Sequence, residues 1–252
     1  MKIPVSFTCF LSRRLLIIKL LMSLTLIIPE VSMALLPAIE METQSEPDAA
    51  VIWLHGLGAD GNDFAPIVPQ LALSEDFGIR FVFPHAPQIP VTVNGGYVMP
   101  AWYDILEMQI ERRVDVERLM VSAHEITALI ERELERGISS RRILLAGFSQ
   151  GGAVAYQAAL SYPKPLGGLL TMSTYFATGD SIVPDSANDH LPIEIHHGLY
   201  DPVVPEQLGR QAVKRLEELG YKPRYKTYPM EHGVCPEQLK DISQWIRSRL
   251  GK

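Results

Sequence analysis

Extended apolar segments alternate with helix-forming segments from position 50 to the C-terminus. Apolar runs predict strands at residues 50–54, 79–84, 143–146 and 168–172, and more polar segments at 192–197 and 223–228 continue the series. Helical patterns fill the intervals at residues 64–73, 111–136, 153–160, 206–219 and 236–250. This alternation predicts an α/β fold in a single domain, with a doubly wound, mostly parallel sheet and helices on both faces.

Four loops carry polar or glycine-rich sequence directly after predicted strands. They begin at His55, Gly147, Gly198 and Pro229. Because ligands bind outside the carboxyl ends of parallel strands, we expect these loops to converge on one edge of the sheet.

The second of these loops contains a candidate nucleophile. Gly147-Phe148-Ser149-Gln150-Gly151 has the G-x-S-x-G spacing and joins a predicted strand to a predicted helix. In a nucleophile elbow the serine is strained, and its flanking glycines avoid collisions with the neighbouring strand and helix. The spacing alone should occur by chance in roughly one in ten chains of this length, so a glycine-rich turn without chemistry is the alternative.

A serine hydroxyl needs a base to remove its proton. Four of the seven histidines follow Ser149, namely His190, His196, His197 and His232. Adjacent histidines on a strand face opposite sides, so the pair at 196–197 cannot serve one site. His232 follows the last predicted strand, and we predict that it is the base, with a surface histidine as the alternative.

The base in turn needs an acid that holds its tautomer. Asp201 lies in the loop directly after the strand at 192–197, whereas Glu194 lies inside that strand and Glu206 inside the following helix. Asp201 is therefore the predicted acid. The order of serine, acid and histidine is the one found in α/β-hydrolases.

Two backbone N–H groups near the developing negative charge would complete such a site. The predicted donors are the N–H of Gln150 in the elbow and the N–H of Leu57 in the first glycine loop. Both side chains are incidental to that role, so their substitution is expected to have a mild effect.

The long segment from His85 to about Ile105 is predicted to be a functional loop. Trp102 within it either contacts the substrate or packs as a hydrophobic cover. We expect the acyl chain of a substrate to bind between this segment and the loops near Leu57 and Val204.

Net charge and cysteine spacing argue against two further classes of protein, nucleic-acid-binding proteins and those built on disulfides or zinc. The net charge is −6 and no basic cluster stands out in the body of the chain, which argues against nucleic acid as a partner. Cys9 and Cys235 lack a C-x-x-C spacing, so neither a disulfide framework nor a zinc site is expected.

Residues 1–34 differ from the rest of the chain. They contain an apolar run at 20–28 and a small-x-small cleavage pattern at 32–34, preceded by the basic residues Lys2, Arg13, Arg14 and Lys19. A secretory signal, and hence export, is one interpretation. The long basic region favours a misassigned start instead, with a cytoplasmic enzyme beginning at Met22 or Met33. The apolar run is too short to predict a stable membrane span, and residues 35–49 are predicted to be a surface lead-in.

Five motifs together resemble a known family. They are His55-Gly56-Leu57-Gly58, the segment 100–104, Gly147–Gly152, Gly198–Asp201 with Val204-Pro205, and Glu231-His232-Gly233. The chain resembles the acyl-protein thioesterase and bacterial carboxylesterase (phospholipase/carboxylesterase) family of α/β-hydrolases from about residue 50 to the C-terminus.

The resemblance implies a single-domain α/β-hydrolase over residues 50–252, with Ser149, Asp201 and His232 as triad and Leu57 and Gln150 as oxyanion donors. It also implies hydrolysis of carboxylic esters and acyl thioesters, including acyl-protein or lysophospholipid types, without a cofactor. An acyltransferase with the same triad, or a hydrolase-like binding module without activity, are the alternatives.

Overall fold

The computed structural model describes Met1 and residues 35–73, 77–109 and 112–251. The chain divides into two units, Met1–Met33 and Ala34–Lys252, and all the described helices and strands belong to the second. Residues 2–34 lie outside the described residues. The secretory signal and the misassigned start, with its cytoplasmic enzyme, therefore both stay predictions. No described helix is long and apolar enough to cross a bilayer.

Seven strands form the central sheet. In sheet order they are β1 (Ala38–Glu42), β3 (Ile79–Pro84), β2 (Ala49–Leu54), β8 (Ile143–Phe148), β9 (Gly168–Met172), β10 (Ile193–Gly198) and β11 (Arg224–Tyr228). Every neighbouring pair is parallel except β1 with β3. The predicted doubly wound, mostly parallel sheet is confirmed.

Strand β2 illustrates why helices cover both faces. Ala50, Ile52 and Leu54 belong to one core cluster, and the alternate residues Ala49, Val51 and Trp53 belong to the other. The first cluster is completed by helices α1 (Val116–Glu135), α2 (Gln150–Leu160) and α3 (Glu206–Glu218), the second by α4 (Pro236–Leu250) and the 3-10 helix Ala65–Leu71. Because successive side chains of a strand point to opposite faces, a strand apolar at every position requires two cores.

Strand β1 lies in the segment that the sequence predicts to be a surface lead-in. It pairs antiparallel with β3, and Glu40 within it forms ion pairs with Arg132 of helix α1 and with Arg136, the C-cap of that helix. The buried Glu133 of α1 contacts these two arginines and also Arg80 of β3. Charged residues therefore attach the edge strand to the helix, which a search for apolar runs does not detect.

The segment from His85 to Ile105 is more regular than the predicted loop. It contains the hairpin of β4 (Gln88–Val91) and β5 (Tyr97–Pro100), and it is followed by the small pair β6 (Ile105–Glu107) and β7 (Arg113–Val114). The predicted helix at 111–136 accordingly begins later, at Val116. Its N-cap is Asp115, whose side chain accepts a hydrogen bond from the N–H of Arg118 at 2.9 Å.

The register brings the strand ends to one edge. Leu54 of β2 pairs with Gly147 of β8, Phe148 of β8 pairs with Met172 of β9, and Gly198 of β10 pairs with Tyr228 of β11. The loops that follow these strands therefore emerge side by side, as the sequence predicts.

Candidate active site

Ser149 occupies a sharp turn between β8 and α2. Its backbone has φ 52° and ψ −121°, a combination that residues with a Cβ rarely adopt. A Cβ on Gly147 would lie 2.6 Å from the carbonyl oxygen of Gly151, and a Cβ on Gly151 would overlap the carbonyl oxygen of His55. The glycines allow strand and helix to pack closely enough to hold the strained serine, as predicted for a nucleophile elbow.

A continuous hydrogen-bonded relay joins Ser149, His232 and Asp201. The Oγ of Ser149 lies 3.0 Å from Nε2 of His232, and Nδ1 of His232 lies 2.7 Å from Oδ2 of Asp201. Because a carboxylate only accepts hydrogen bonds, this contact assigns the ring proton to Nδ1 and leaves Nε2 to accept from the serine hydroxyl.

The carboxylate of Asp201 is held ionised within a buried turn. Its Oδ1 accepts hydrogen bonds from the N–H groups of Val203 at 2.9 Å and Val204 at 2.8 Å. Burial alone would raise the pKa of Asp201, but the hydrogen bond with His232 and the two N–H groups hold it below its ordinary value. Asp201 is thus available as an acceptor at neutral pH.

Backbone hydrogen bonds tie the loop of Asp201 to the loop of His232. The N–H of Leu199 donates to Tyr228 at 2.9 Å, and the N–H of Tyr200 donates to Met230 at 3.1 Å. The ring of His232 also packs on Phe148, with 4.7 Å between ring centroids. The position of the imidazole is therefore determined by two strands and the elbow together.

The first glycine loop lies directly against the elbow. A Cβ on Gly56 would be 3.4 Å from the Cβ of Ser149, in ordinary contact distance. The N–H of Leu57 has no hydrogen-bond acceptor within the described residues, whereas the next N–H, of Gly58, donates to Pro100 at 2.8 Å. Gln150 is the first residue of α2, where a backbone N–H is not used inside the helix. Both predicted oxyanion donors thus lie in segments that flank Ser149.

His55 supports the glycine loop, a role that the sequence analysis did not assign. Its Nδ1 lies 2.7 Å from the carbonyl oxygen of Gly56, and its Nε2 accepts from the N–H of Ala86 at 3.1 Å. Burial lowers the pKa of His55, opposed by the hydrogen bond to Gly56. The neutral ring with its proton on Nδ1 satisfies both contacts. The position of His55 directly after a buried strand is the sequence signal for this supporting role.

His197 similarly supports the turn at residues 201–204, here called the acid turn because it contains Asp201. Its Nε2 lies 2.8 Å from the carbonyl oxygen of Val204, to which it donates, and 3.8 Å from Oδ2 of Asp201. Burial lowers the pKa of His197, although the contacts with Val204 and Asp201 oppose that effect. Its neighbour His196 points to the opposite side and contacts Glu194 at 3.1 Å. Neither residue contacts Ser149, in agreement with their exclusion as the base.

Trp102 is buried in the core and does not line the cavity above Ser149. Its side chain is fully buried, and its indole N–H donates to the carbonyl oxygen of His55 at 2.9 Å. The structure therefore favours the alternative for Trp102, a packed hydrophobic cover, over a substrate contact. The indole N–H instead holds the glycine loop at the carbonyl oxygen of His55.

The side chain of Gln150 is not incidental. Its Oε1 accepts from the N–H of Trp102 at 2.9 Å, and its Nε2 donates to the carbonyl oxygen of Tyr103 at 2.6 Å. This buried amide joins the elbow to the segment that carries Trp102, so the expectation of a mild substitution is not supported at this position.

A cavity of about 580 Å³ opens above Ser149 and His232. Val204, for which a substrate contact is predicted, lines it. Its apolar wall comes from the glycine loop, the segment after β4 and the acid turn, with side chains of Leu57, Val93, Ile105, Met108, Phe148, Tyr175, Val203 and Val204. Such a wall suits an acyl chain. No group of three or more His, Cys, Asp or Glu side chains among the described residues is arranged to hold a metal ion.

The sequence matches the phospholipase/carboxylesterase family over residues 37–250. It is 37% identical over 217 residues to acyl-protein thioesterase 1 of Gibberella zeae, covering 82% of this chain and 92% of that protein. Carboxylesterase SOBER1 of Arabidopsis thaliana is 34% identical over 206 residues, with 79% of this chain and 90% of that protein covered.

The crystal structure of Arabidopsis SOBER1 superposes with a TM-score of 0.75 at 32% sequence identity, over 80% of this chain and 99% of that one. The family, the fold and the hydrolytic class predicted from the sequence motifs are confirmed. The chain therefore belongs to the phospholipase/carboxylesterase family of α/β-hydrolases and is a hydrolytic enzyme.

Proposed function

We propose that this protein hydrolyses carboxylic esters and acyl thioesters through a covalent acyl-enzyme on Ser149. The single observation that supports this most strongly is the relay from Ser149 through His232 to Asp201, with contacts of 3.0 and 2.7 Å, at the base of a cavity with an apolar wall. Curated relatives named acyl-protein thioesterase and carboxylesterase support the same substrate chemistry.

In the first half-reaction, Oγ of Ser149 attacks the carbonyl carbon while its proton passes to Nε2 of His232. The electron pair of the C=O bond moves to the oxygen, and the oxyanion accepts hydrogen bonds from the N–H groups of Leu57 and Gln150. Asp201 stabilises the imidazolium through Nδ1. When the tetrahedral intermediate collapses, the bond to the alcohol or thiol breaks, and that group leaves with the proton from Nε2.

In the second half-reaction, water attacks the acyl group on Ser149 and gives its proton to His232. The oxyanion forms again in the same place, the bond between acyl carbon and Oγ breaks, and Ser149 recovers its proton from Nε2. The products are a carboxylic acid and the enzyme in its starting state. The enzyme accelerates both half-reactions by holding the substrate and the catalytic groups in position and by stabilising the oxyanion electrostatically.

The proposed substrate carries a lipid-like acyl group, on a small molecule, a protein or a lysophospholipid. The apolar side chains that line the cavity support this choice, because removing an acyl chain from water is favourable by about 0.8 kcal/mol for each buried CH₂. Small-molecule esters and thioesters with acyl chains therefore provide suitable test substrates.

The test combines covalent labelling with a substrate panel. A serine-reactive fluorophosphonate should add one phosphonyl group to the wild type and none to Ser149→Ala, measured by intact mass. Esters and thioesters of graded chain length should be cleaved by the wild type only. Ser173→Ala is the matched control, since Ser173 also has a positive φ and a buried side chain at the end of the neighbouring strand.

Unchanged mass after labelling of the wild type would contradict the proposal and favour a hydrolase-like binding protein. Retained turnover in Ser149→Ala would exclude the acyl-enzyme. Adding an alcohol or amine acceptor and analysing the products separates hydrolysis from acyl transfer, because only a transferase would yield the acylated acceptor as its main product.

A further inference from the structure

Arg112 brings a positive charge to the wall of an otherwise largely apolar cavity. It lines the cavity above Ser149, and it also lines a second cavity of about 460 Å³ beside helix α3. Tyr175 is the other residue common to both cavities. Arg112 therefore stands where the two cavities adjoin, on the wall of the cavity that also contains Ser149 and His232.

Neutral groups hold Arg112 in place. Its guanidinium lies over the ring of Tyr175 at 5.1 Å, its Nη2 donates to the carbonyl oxygen of Val203, and its Nη1 lies 3.2 Å from Sδ of Met108. The Nε–H is buried and has no acceptor in the part of the chain that the structure describes. These contacts orient the side chain without neutralising its charge.

The carboxylates nearby do not neutralise it either. Asp63 lines the first cavity and Asp180 the second, but neither forms an ion pair with Arg112, and Asp180 lies 3.6 Å from Arg215 instead. The adjacent Arg113, by contrast, pairs with Glu107 and lies outside the cavity lining. Among the described residues, Arg112 thus has no acidic partner within 4.0 Å.

The two Nη groups of Arg112 each use one N–H in these contacts and keep a second. A half-buried guanidinium with such a pair of donors is a strong binding group for a carboxylate, because neighbouring N–H groups match the two carboxylate oxygens. Burial makes such a pair stronger than the same pair in water. We propose that Arg112 is a specificity-determining residue that binds a carboxylate on the substrate, so the preferred substrates are esters or thioesters with a second, anionic group. This inference rests on the proposed hydrolase function and defines its substrate class.

The carboxylate could be carried by the acyl chain or by the leaving group. Two matched substrate pairs distinguish these sources. Monoethyl esters of dicarboxylic acids of graded length, compared with ethyl esters of monocarboxylic acids of equal length, place the charge on the acyl side. The comparison of 4-carboxyphenyl hexanoate with phenyl hexanoate places it on the leaving group.

The wild type is expected to favour the anionic member of one pair in kcat/KM. In Arg112→Gln the ratio of anionic to neutral kcat/KM should fall by about 10- to 100-fold, the range for a charge-assisted hydrogen bond. Because Arg112 also contacts Val203, the variant can lower turnover of both substrates, so the ratio is the decisive quantity. Arg113→Gln is the matched control and should keep the wild-type ratio.

A binding measurement separates this inference from the proposed function. Ser149→Ala, with and without Arg112→Gln, is titrated calorimetrically with the same intact esters. Tighter binding of the anionic member that disappears in the double variant supports the inference, and added salt should weaken it. Equal binding of both members, or a preference unchanged by Arg112→Gln, overturns it. Fluorophosphonate labelling of the wild type reports independently on the catalytic proposal.

Discussion

The side-chain oxygen of Gln150 accepts a hydrogen bond from the backbone N–H of Trp102 at 2.9 Å. Gln150 begins helix α2 directly after the nucleophile, and Trp102 follows the hairpin of β4 and β5, 48 positions earlier in the chain. The same amide donates to Tyr103 at 2.6 Å. A residue expected to act only through its backbone therefore also connects the elbow with the segment that covers it.

Gln150→Ala should lower the free energy of unfolding by about 1–3 kcal/mol, because the N–H of Trp102 and the carbonyl of Tyr103 would remain buried without partners. Urea titration followed by tryptophan fluorescence measures the change. Gln207→Ala is the control, since Gln207 is exposed on the first turn of α3. Equal unfolding midpoints for the two variants would show that the bridging amide contributes nothing to stability.

Asp201→Asn should reduce turnover by as much as about 10⁴-fold while leaving the fold intact. The asparagine oxygen can keep the hydrogen bonds from Val203 and Val204, but its NH₂ group would then face Nδ1 of His232 and favour the wrong tautomer. Steady-state kinetics and thermal unfolding are measured on the same preparation. Asp180→Asn, at an exposed aspartate, serves as control, and turnover in Asp201→Asn close to that control would argue against a triad.

Stability should fall as the pH drops below about 6.5. Burial lowers the pKa values of His55 and His197 from 6.5, so the unfolded chain takes up protons there that the folded chain does not. The stabilisation from these two histidines is fully present above their pKa in the unfolded chain. It is lost as the pH falls through their lowered pKa values in the folded protein.

His197→Gln should reduce the slope of unfolding free energy against pH below 6.5 by up to about 1.4 kcal/mol per pH unit, the effect of one proton. Chemical denaturation at several pH values between 7 and 5 provides the slope. His190→Gln, at an exposed histidine, is the control variant measured in parallel. A wild-type slope in His197→Gln would mean that this ring titrates alike in both states.

Glu133→Gln should destabilise the protein by about 3 kcal/mol. Removing one partner of a buried ion pair leaves the other charges uncompensated, and the low end of the usual range applies because Arg132 and Arg136 keep Glu40. Arg80 would lose its contact with a fully buried carboxylate but keep Glu42. Glu135→Gln, exposed on the same helix, should change the free energy of unfolding little, and both are compared by denaturant titration.

The outcomes at individual residues show what patterns along the chain can detect. The elbow, the acid turn and the histidine loop follow strands in the order that α/β-hydrolases require, so Ser149, Asp201 and His232 could be predicted together. Strand β1 was missed because it has no continuous apolar run: charged residues alternate with its apolar ones, and backbone pairing with β3 and ion pairs of Glu40 hold it in place. The 3-10 helix Ala65–Leu71 lies in a segment predicted as a short helix, and the hairpin of β4 and β5 lies in a segment predicted as a loop.

The sequence by itself determined the fold class, the family and the three residues of the relay, because strand periodicity and short motifs are local properties. Only the tertiary structure decided which side chains support that relay. Trp102, Gln150, His55 and His197 are buried polar or aromatic groups whose partners lie far along the chain or across a turn. A buried polar group must find a hydrogen-bond partner, and packing alone decides which one is within reach.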